Sequence, residues 1–221
     1  MKKGKKLALV VSLVCLMMLA CSMVAFAAEE NAVQYPDIQG HWAQGAIEYV
    51  VEEGIFAGTS DNVFAPNAPM TRGMLVTVLC RTGRVNSQLY SVTHFEDVDI
   101  KAYYGPAVGW AYENNIVKGD GNGYFNPDKA LTREEAAVIL ANYAEYRSRN
   151  TYLQPAEVAS YLELAKDGDT VSSWAKDGVA YLLQSKVLTG DANGNLNPQV
   201  EITRAEVASL LQSFIKFLSA Q

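Results

Sequence analysis

Apolar positions recur in one pattern three times after residue 34. In the first occurrence Trp42, Ala46, Ile47, Val50, Val51 and Ile55 follow the 3.6-residue period of a helix with one buried stripe. Tyr103, Ala107, Val108, Ala111, Tyr112 and Ile116 repeat it, as do Trp174, Val179, Leu182, Leu183 and Val187. The leading aromatic of each stripe (Trp42, Tyr103, Trp174) is read as a core residue. Gly58, Gly119 and Gly190 are read as the helix stops, since glycine tolerates positive φ. A loop of about a dozen residues then follows, rich in Gly, Asp, Asn and Pro. Each loop carries one apolar plug (Phe64, Phe125 or Leu196) expected to pack on its own helices.

A second helix follows each loop, and its start is marked in the sequence. Thr203 reads as an N-cap and Glu206 as its capping-box partner, with Ile202 and Val207 as a hydrophobic staple. Leu131, Thr132, Glu135 and Ala136 repeat this. Met70, Thr71 and Leu75 do so in the first copy, where Met74 replaces the glutamate and breaks the box. The helices behind these caps are so apolar (Leu75 to Cys80, Ala136 to Ala141, Val207 to Leu211) that they require burial on most sides.

The register of the repeat is strict. A shift of 61 carries Ala46-Ile47 onto Ala107-Val108, Gly58 onto Gly119 and Thr71-Arg72 onto Thr132-Arg133. A further shift of 71 carries Gly119-Asp120 onto Gly190-Asp191 and Thr132-Arg133 onto Thr203-Arg204. The reading is all-α, with three tandem helix-loop-helix repeats forming one pseudo-threefold helical bundle. The repeats span 35–82, 95–143 and 164–215, with a helical connector at 144–163.

Composition adds a leader. Lys2, Lys3, Lys5 and Lys6 precede an apolar stretch from Leu7 to Ala25, and Ala25-Phe26-Ala27 closes it, which reads as a signal peptide at 1–27. Leu19-Ala20-Cys21 offers an alternative, acylated cleavage site. The whole chain carries a formal charge of −6, and beyond the leader 14 basic face 24 acidic side chains. That surplus of acid excludes nucleic acid as a partner. No later stretch is long and apolar enough to span a bilayer. With Cys15 and Cys21 in the leader, Cys80 stands alone and no intramolecular disulfide is expected.

Arg72, Arg133 and Arg204 sit at the first position of the second helices, against the positive end of the dipole, where they cost about 0.3–1 kcal/mol. Helix stability does not explain them. One reading is an anion site at which the free amides of the first turn, the dipole and a guanidinium fork converge. The other is pairing of each arginine with an acid of a neighbouring copy.

Thr203-Arg204-Ala205-Glu206 resembles the T-R-A-E element of the S-layer homology (SLH) family. Phe95-Glu96-Asp97, Trp174-Ala175, Gly119-Asp120 with Asn126-Pro127, and Thr132-Arg133-Glu134-Glu135 fit the same pattern. The resemblance covers all three repeats. It implies a compact three-pronged helical domain that attaches bacterial surface proteins to acidic secondary cell wall polysaccharide, often pyruvylated N-acetylmannosamine. It assigns recognition of the ketal carboxylate to Arg72, Arg133 and Arg204 in grooves between repeats. It sets Gly58, Gly119, Asp120, Gly190 and Asp191 along those grooves, where helix stopping and turn chemistry explain them equally. Gly73-Met74 in the first copy departs from the pattern and is expected to loosen the Arg72 groove. Ala165-Lys166-Asp167 departs from it at the opening of the third.

Trp110, off its stripe, and Tyr124, in a loop, are candidate surfaces for stacking on sugar. Asp120-x-Asn122 and Asp191-x-Asn193-x-Asn195 imitate a calcium loop, but its twelfth position falls on Leu131 and Ile202, so no metal is expected. His41 and His94 lack ligand spacing, and no nucleophile–base set stands out, so neither enzyme activity nor a cofactor is expected. The chain reads as a secreted, non-catalytic wall-binding module of the cell surface, ending six residues past its third unit without a further domain. The alternative is a structural surface protein whose repeats self-associate or dock a surface-protein partner.

Overall fold

Each threonine-capped segment forms a helix, and its cap is made as the sequence requires. The computed structural model describes residues 35–220; the expected leader, with Cys15 and Cys21, lies outside them. The second helices of the repeats are α2 (Arg72–Thr82), α4 (Arg133–Tyr146) and α7 (Arg204–Ser219). Thr132 and Thr203 close complete capping boxes with Glu135 and Glu206, while Thr71 accepts the Met74 amide without a reciprocal partner. The opening helices are α1 (Gln44–Glu52), α3 (Gly105–Glu113) and α6 (Lys176–Gln184), and α5 (Pro155–Leu162) lies in the connector. The described residues contain no sheet, only isolated bridging pairs, so the fold is all-α.

The closest helix pairs join different repeats. α3 packs on α2, α6 on α4 and α1 on α7, so each opening helix lies against the second helix of another copy, and α5 adds to α6. At the centre three backbone bonds form a cycle. The Met70 amide donates to the Ile202 carbonyl, the Ile202 amide to Leu131 and the Leu131 amide to Met70, each at 2.9 Å. All three side chains are fully buried. The residues just before the helix caps therefore close the chain on itself, and no repeat completes this core alone.

The opening helices end earlier than the glycines suggest, at Glu52, Glu113 and Gln184. The left-handed residues that terminate them are Gly54, Asn115 and Lys186. Gly58 and Gly119 instead sit where the loops fold tightly on themselves. A β-carbon on Gly58 would lie 2.5 Å from the Val63 carbonyl oxygen, and one on Gly119 would lie 2.5 Å from the Phe95 ring. Each loop is tied to the start of its own repeat by one carboxylate. Asp37 accepts the amides of Phe64 and Ala65, Asp97 those of Phe125 and Asn126, and Asp167 those of Leu196 and Asn197. Asp167 thus does the work of its counterparts although the residues before it depart from the pattern.

The residue after each plug is left-handed: Ala65 at φ 58°, Asn126 at 57° and Asn197 at 52°. Asparagine tolerates this conformation and alanine is strained in it. Ala65→Asn is therefore expected to raise stability by about 0.5–1 kcal/mol, read as a higher thermal midpoint; an unchanged or lower midpoint would show that the strain is not there.

Two expectations about aromatics are corrected. Trp110 is completely buried, edge-on to Tyr143 (6.1 Å between ring centroids) and Tyr146 (5.6 Å). α3 is covered both by α2 and by the turn at Ser87–Leu89, so a residue off its stripe meets protein rather than water. Trp42, Tyr103 and Trp174 are 67%, 61% and 58% exposed. They lie ahead of the first residues of α1, α3 and α6, so the helical period never applied to them.

Candidate functional site

The three arginines are set by their caps. Thr71, Thr132 and Thr203 are extended (ψ about 160°), each accepts the amide of the third helical residue, and the next residue is the arginine. The amides at the first and second helical positions are not free. Those of Arg72 and Gly73 donate to the carbonyls of Lys129 and Pro127, those of Arg133 and Glu134 to Val200 and Pro198, and those of Arg204 and Ala205 to Ala68 and Pro66. The expected convergence of open amides on an anion is thereby corrected. The positive helix ends are docked on another repeat's loop, whose carbonyls satisfy them.

Each arginine then reaches into that same loop. Its Nε donates to the carbonyl of the plug residue: Arg72 to Phe125 (2.7 Å), Arg133 to Leu196 (2.7 Å), Arg204 to Phe64 (2.9 Å). Arg72 also lies over the Phe125 ring, and Arg204 over Phe64 and Phe56. Burial pushes the Arg204 and Arg72 guanidinium pKa values down from their ordinary range, opposed at Arg204 by Tyr35, Tyr103 and Asp37 and at Arg72 by Glu135, Asp97 and Asp120.

A groove opens beside every arginine, and each draws on all three repeats. Arg204 of the third repeat lies with Phe56 to Thr59 and Met74 of the first and Tyr103 of the second, around a cavity of about 280 Å³. Arg72 of the first repeat lies with Gly119 and Glu135 of the second and Trp174 of the third (about 810 Å³). Arg133 of the second lies with Gly190, Asp191 and Glu206 of the third and Trp42 of the first (about 800 Å³). Of the residues expected in grooves, Gly58, Gly119, Gly190 and Asp191 are there beside an arginine of another repeat.

Asp120 and Asp191 are both used inside their loops. Asp120 accepts the amides of Asn122 and Tyr124, Asp191 those of Asn193 and Asn195, and these bonds hold both carboxyls below the usual carboxylate range. Tyr124 is exposed in its loop but does not line the Arg72 groove. The groove aromatics Trp42, Tyr103 and Trp174 were assigned to the core by their spacing. Their positional equivalence was the available signal for a shared role.

The two readings of the arginines are divided by the structure. Arg133 does pair with a neighbouring copy's acid, Glu206, at 2.7 Å. Arg72 makes no such bridge among the described residues, where Lys129 takes the equivalent Glu135 at 2.8 Å. Arg204 faces Met74, whose sulfur lies 3.9 Å from its Nη1. The broken capping box of the first repeat therefore belongs to the Arg204 groove, not to that of Arg72.

Beyond the site, the buried Cys80 thiol has its pKa raised by burial, and His94 stacks on Tyr112 at 4.4 Å. No helix among the described residues is long and apolar enough to cross a membrane.

The pattern of the S-layer homology domain is matched at residues 34–73, 94–137 and 166–208, together more than half of the chain. A 125 kDa surface-layer protein of Lysinibacillus sphaericus is 30% identical over 99% of this chain and 18% of its own length. An amylopullulanase of Thermoanaerobacterium thermosulfurigenes is 28% identical over 86% of this chain and 10% of its own. An exoglucanase of Acetivibrio thermocellus is 26% identical over 85% and 17%. The chain thus spans between a tenth and a fifth of the length of these relatives.

Proposed function

Because the chain belongs to the S-layer homology domain family, we propose that it is a non-catalytic cell-surface anchoring module whose inter-repeat grooves hold acidic, pyruvylated secondary cell wall polysaccharide. The observation that carries this reading is the recurrence, in all three grooves, of the equivalent arginine, a glycine-containing loop and the equivalent exposed aromatic. The guanidinium supplies a forked donor for a carboxylate, and the aromatic supplies a face for the sugar ring. The loop backbone approaches closely because its glycine carries no side chain. Grooves on one rigid domain engage successive units of a polymer, and effective concentration raises avidity by roughly 10²–10⁴ over a single groove. The polysaccharide-degrading relatives share only this small part of their length with the chain, so their chemistry is not transferred to it.

The test is sedimentation with purified wall. The chain is expected to pellet with native wall and to stay in solution with wall stripped of its secondary polymer by hydrofluoric acid. Equal pelleting with both would defeat the reading. Because the contacts are short and the chain is acidic overall, salt screens a long-range repulsion more than it weakens the docked state. Raising NaCl from about 0.05 to about 0.15 M is therefore expected to leave binding within about twofold. A steep loss over that range would mean that diffuse charge, not groove geometry, holds the polymer.

A further inference from the structure

The three grooves differ in charge although they share one plan. The Arg204 groove holds a second cation, Arg81, whose Nη1 donates to the Ile55 carbonyl, and among the described residues no carboxylate lines it. In the Arg133 groove Arg133 and Lys186 are matched by Asp191 and Glu206. In the Arg72 groove Arg72 and Lys118 are outnumbered by Glu135, Glu145 and Asp177. Formal lining charge therefore runs from +2 through zero to −1.

One substitution accounts for much of this. The third residue of α7 and of α4 is a glutamate whose one oxygen caps the helix while the other takes a cation, Arg133 in one case and Lys129 in the other. In α2 that residue is Met74. Its thioether meets Arg204, a residue only 4% exposed, whose guanidinium has carbonyls, sulfur and ring faces around it and, among the described residues, no carboxylate bonded to it. A desolvated cation with unfilled donor capacity binds an anion strongly, because the anion replaces no internal partner.

Resting on the reading above, we propose that the Arg204 groove is the principal site for the carboxylate-bearing sugar, with Arg204 and Arg81 as its anion receptor. Met74 is the residue that sets this specificity by keeping the internal acid out. The other two grooves hold the polymer through neutral sugar contacts, since Arg133 is bridged to Glu206 and Arg72 faces a groove whose carboxylates outnumber its cations. The lost capping box, which reads as a defect of the first repeat, is the means by which one groove keeps its charge.

The experiment uses the full chain and the methyl glycoside of pyruvate-ketal N-acetylmannosamine, with its carboxylate methyl ester as the uncharged control, in titration calorimetry. Wild type is expected to bind one acid sugar per chain and to bind the ester at least tenfold more weakly. Met74→Glu rebuilds the pair seen between Arg133 and Glu206 and is expected to weaken the acid at least tenfold while raising the melting temperature. Met74→Gln, with similar shape and no charge, is expected to lose much less binding than Met74→Glu. Glu206→Met, which transplants the first repeat's residue, is expected to add a second site at Arg133. Unchanged binding by Met74→Glu, equal loss in Met74→Gln, or two or three equivalent sites in wild type would each overturn the inference. Wild type that pellets with native wall yet ignores the sugar overturns the inference alone, whereas failure to pellet overturns the function on which it rests.

Discussion

Leu131→Ala is expected to destabilise the whole domain by about 2–5 kcal/mol, a fall of roughly 4–20 °C in melting temperature. The side chain is fully buried, and its backbone is one link of the cycle that joins Met70, Leu131 and Ile202. Truncation there leaves a cavity at the point where all three repeats meet, with little freedom to collapse. Because each opening helix packs on another repeat's second helix, the loss is expected to appear as one cooperative transition that moves as a unit. Calorimetry checks this. A separate low-temperature transition for the second repeat, with the others unmoved, would show that the repeats are energetically independent.

Arg204→Ala is expected to cost about 2–4 kcal/mol of stability and also to abolish binding of the acid sugar. The guanidinium donates to the carbonyls of Phe64 and Ala57 and lies over Phe56 and Phe64, so its removal strips one buried and one part-buried carbonyl of their donor and two rings of their cation. Arg204→Lys is expected to restore part of the stability while binding stays weak, since an ammonium cannot present a planar fork to both carbonyls and ligand. Thermal melts beside calorimetry separate the two effects. Full binding by folded Arg204→Ala would remove this residue from the site.

The repeat, the capped second helices and the three arginines were legible in the sequence because they depend on neighbours within about four residues. Threonine followed three places later by glutamate specifies a box whatever the rest of the chain does, and Met74 announced its absence. The aromatics were misread for a related reason. Trp42, Tyr103 and Trp174 continue the spacing of their stripes but lie before the helices begin, and Trp110 is off-stripe on a helix covered from two sides. Periodicity reports the side a helix buries only where the residue is helical and one face is left to water.

The groove partnerships were not legible. Arg204 with Met74, Arg72 with Gly119 and Arg133 with Glu206 are pairs separated by most of a repeat or more, and no local pattern says which copies meet. Sequence alone therefore settled which residue types recur and which helices they begin. The tertiary fold decided that each first-turn amide pair is spent on a neighbouring loop, and that a given arginine serves a cleft built from the other two copies. The physical reason is closure. A repeat too small to bury its own apolar helices completes them against its neighbours, and the clefts lie along the joints that this exchange creates.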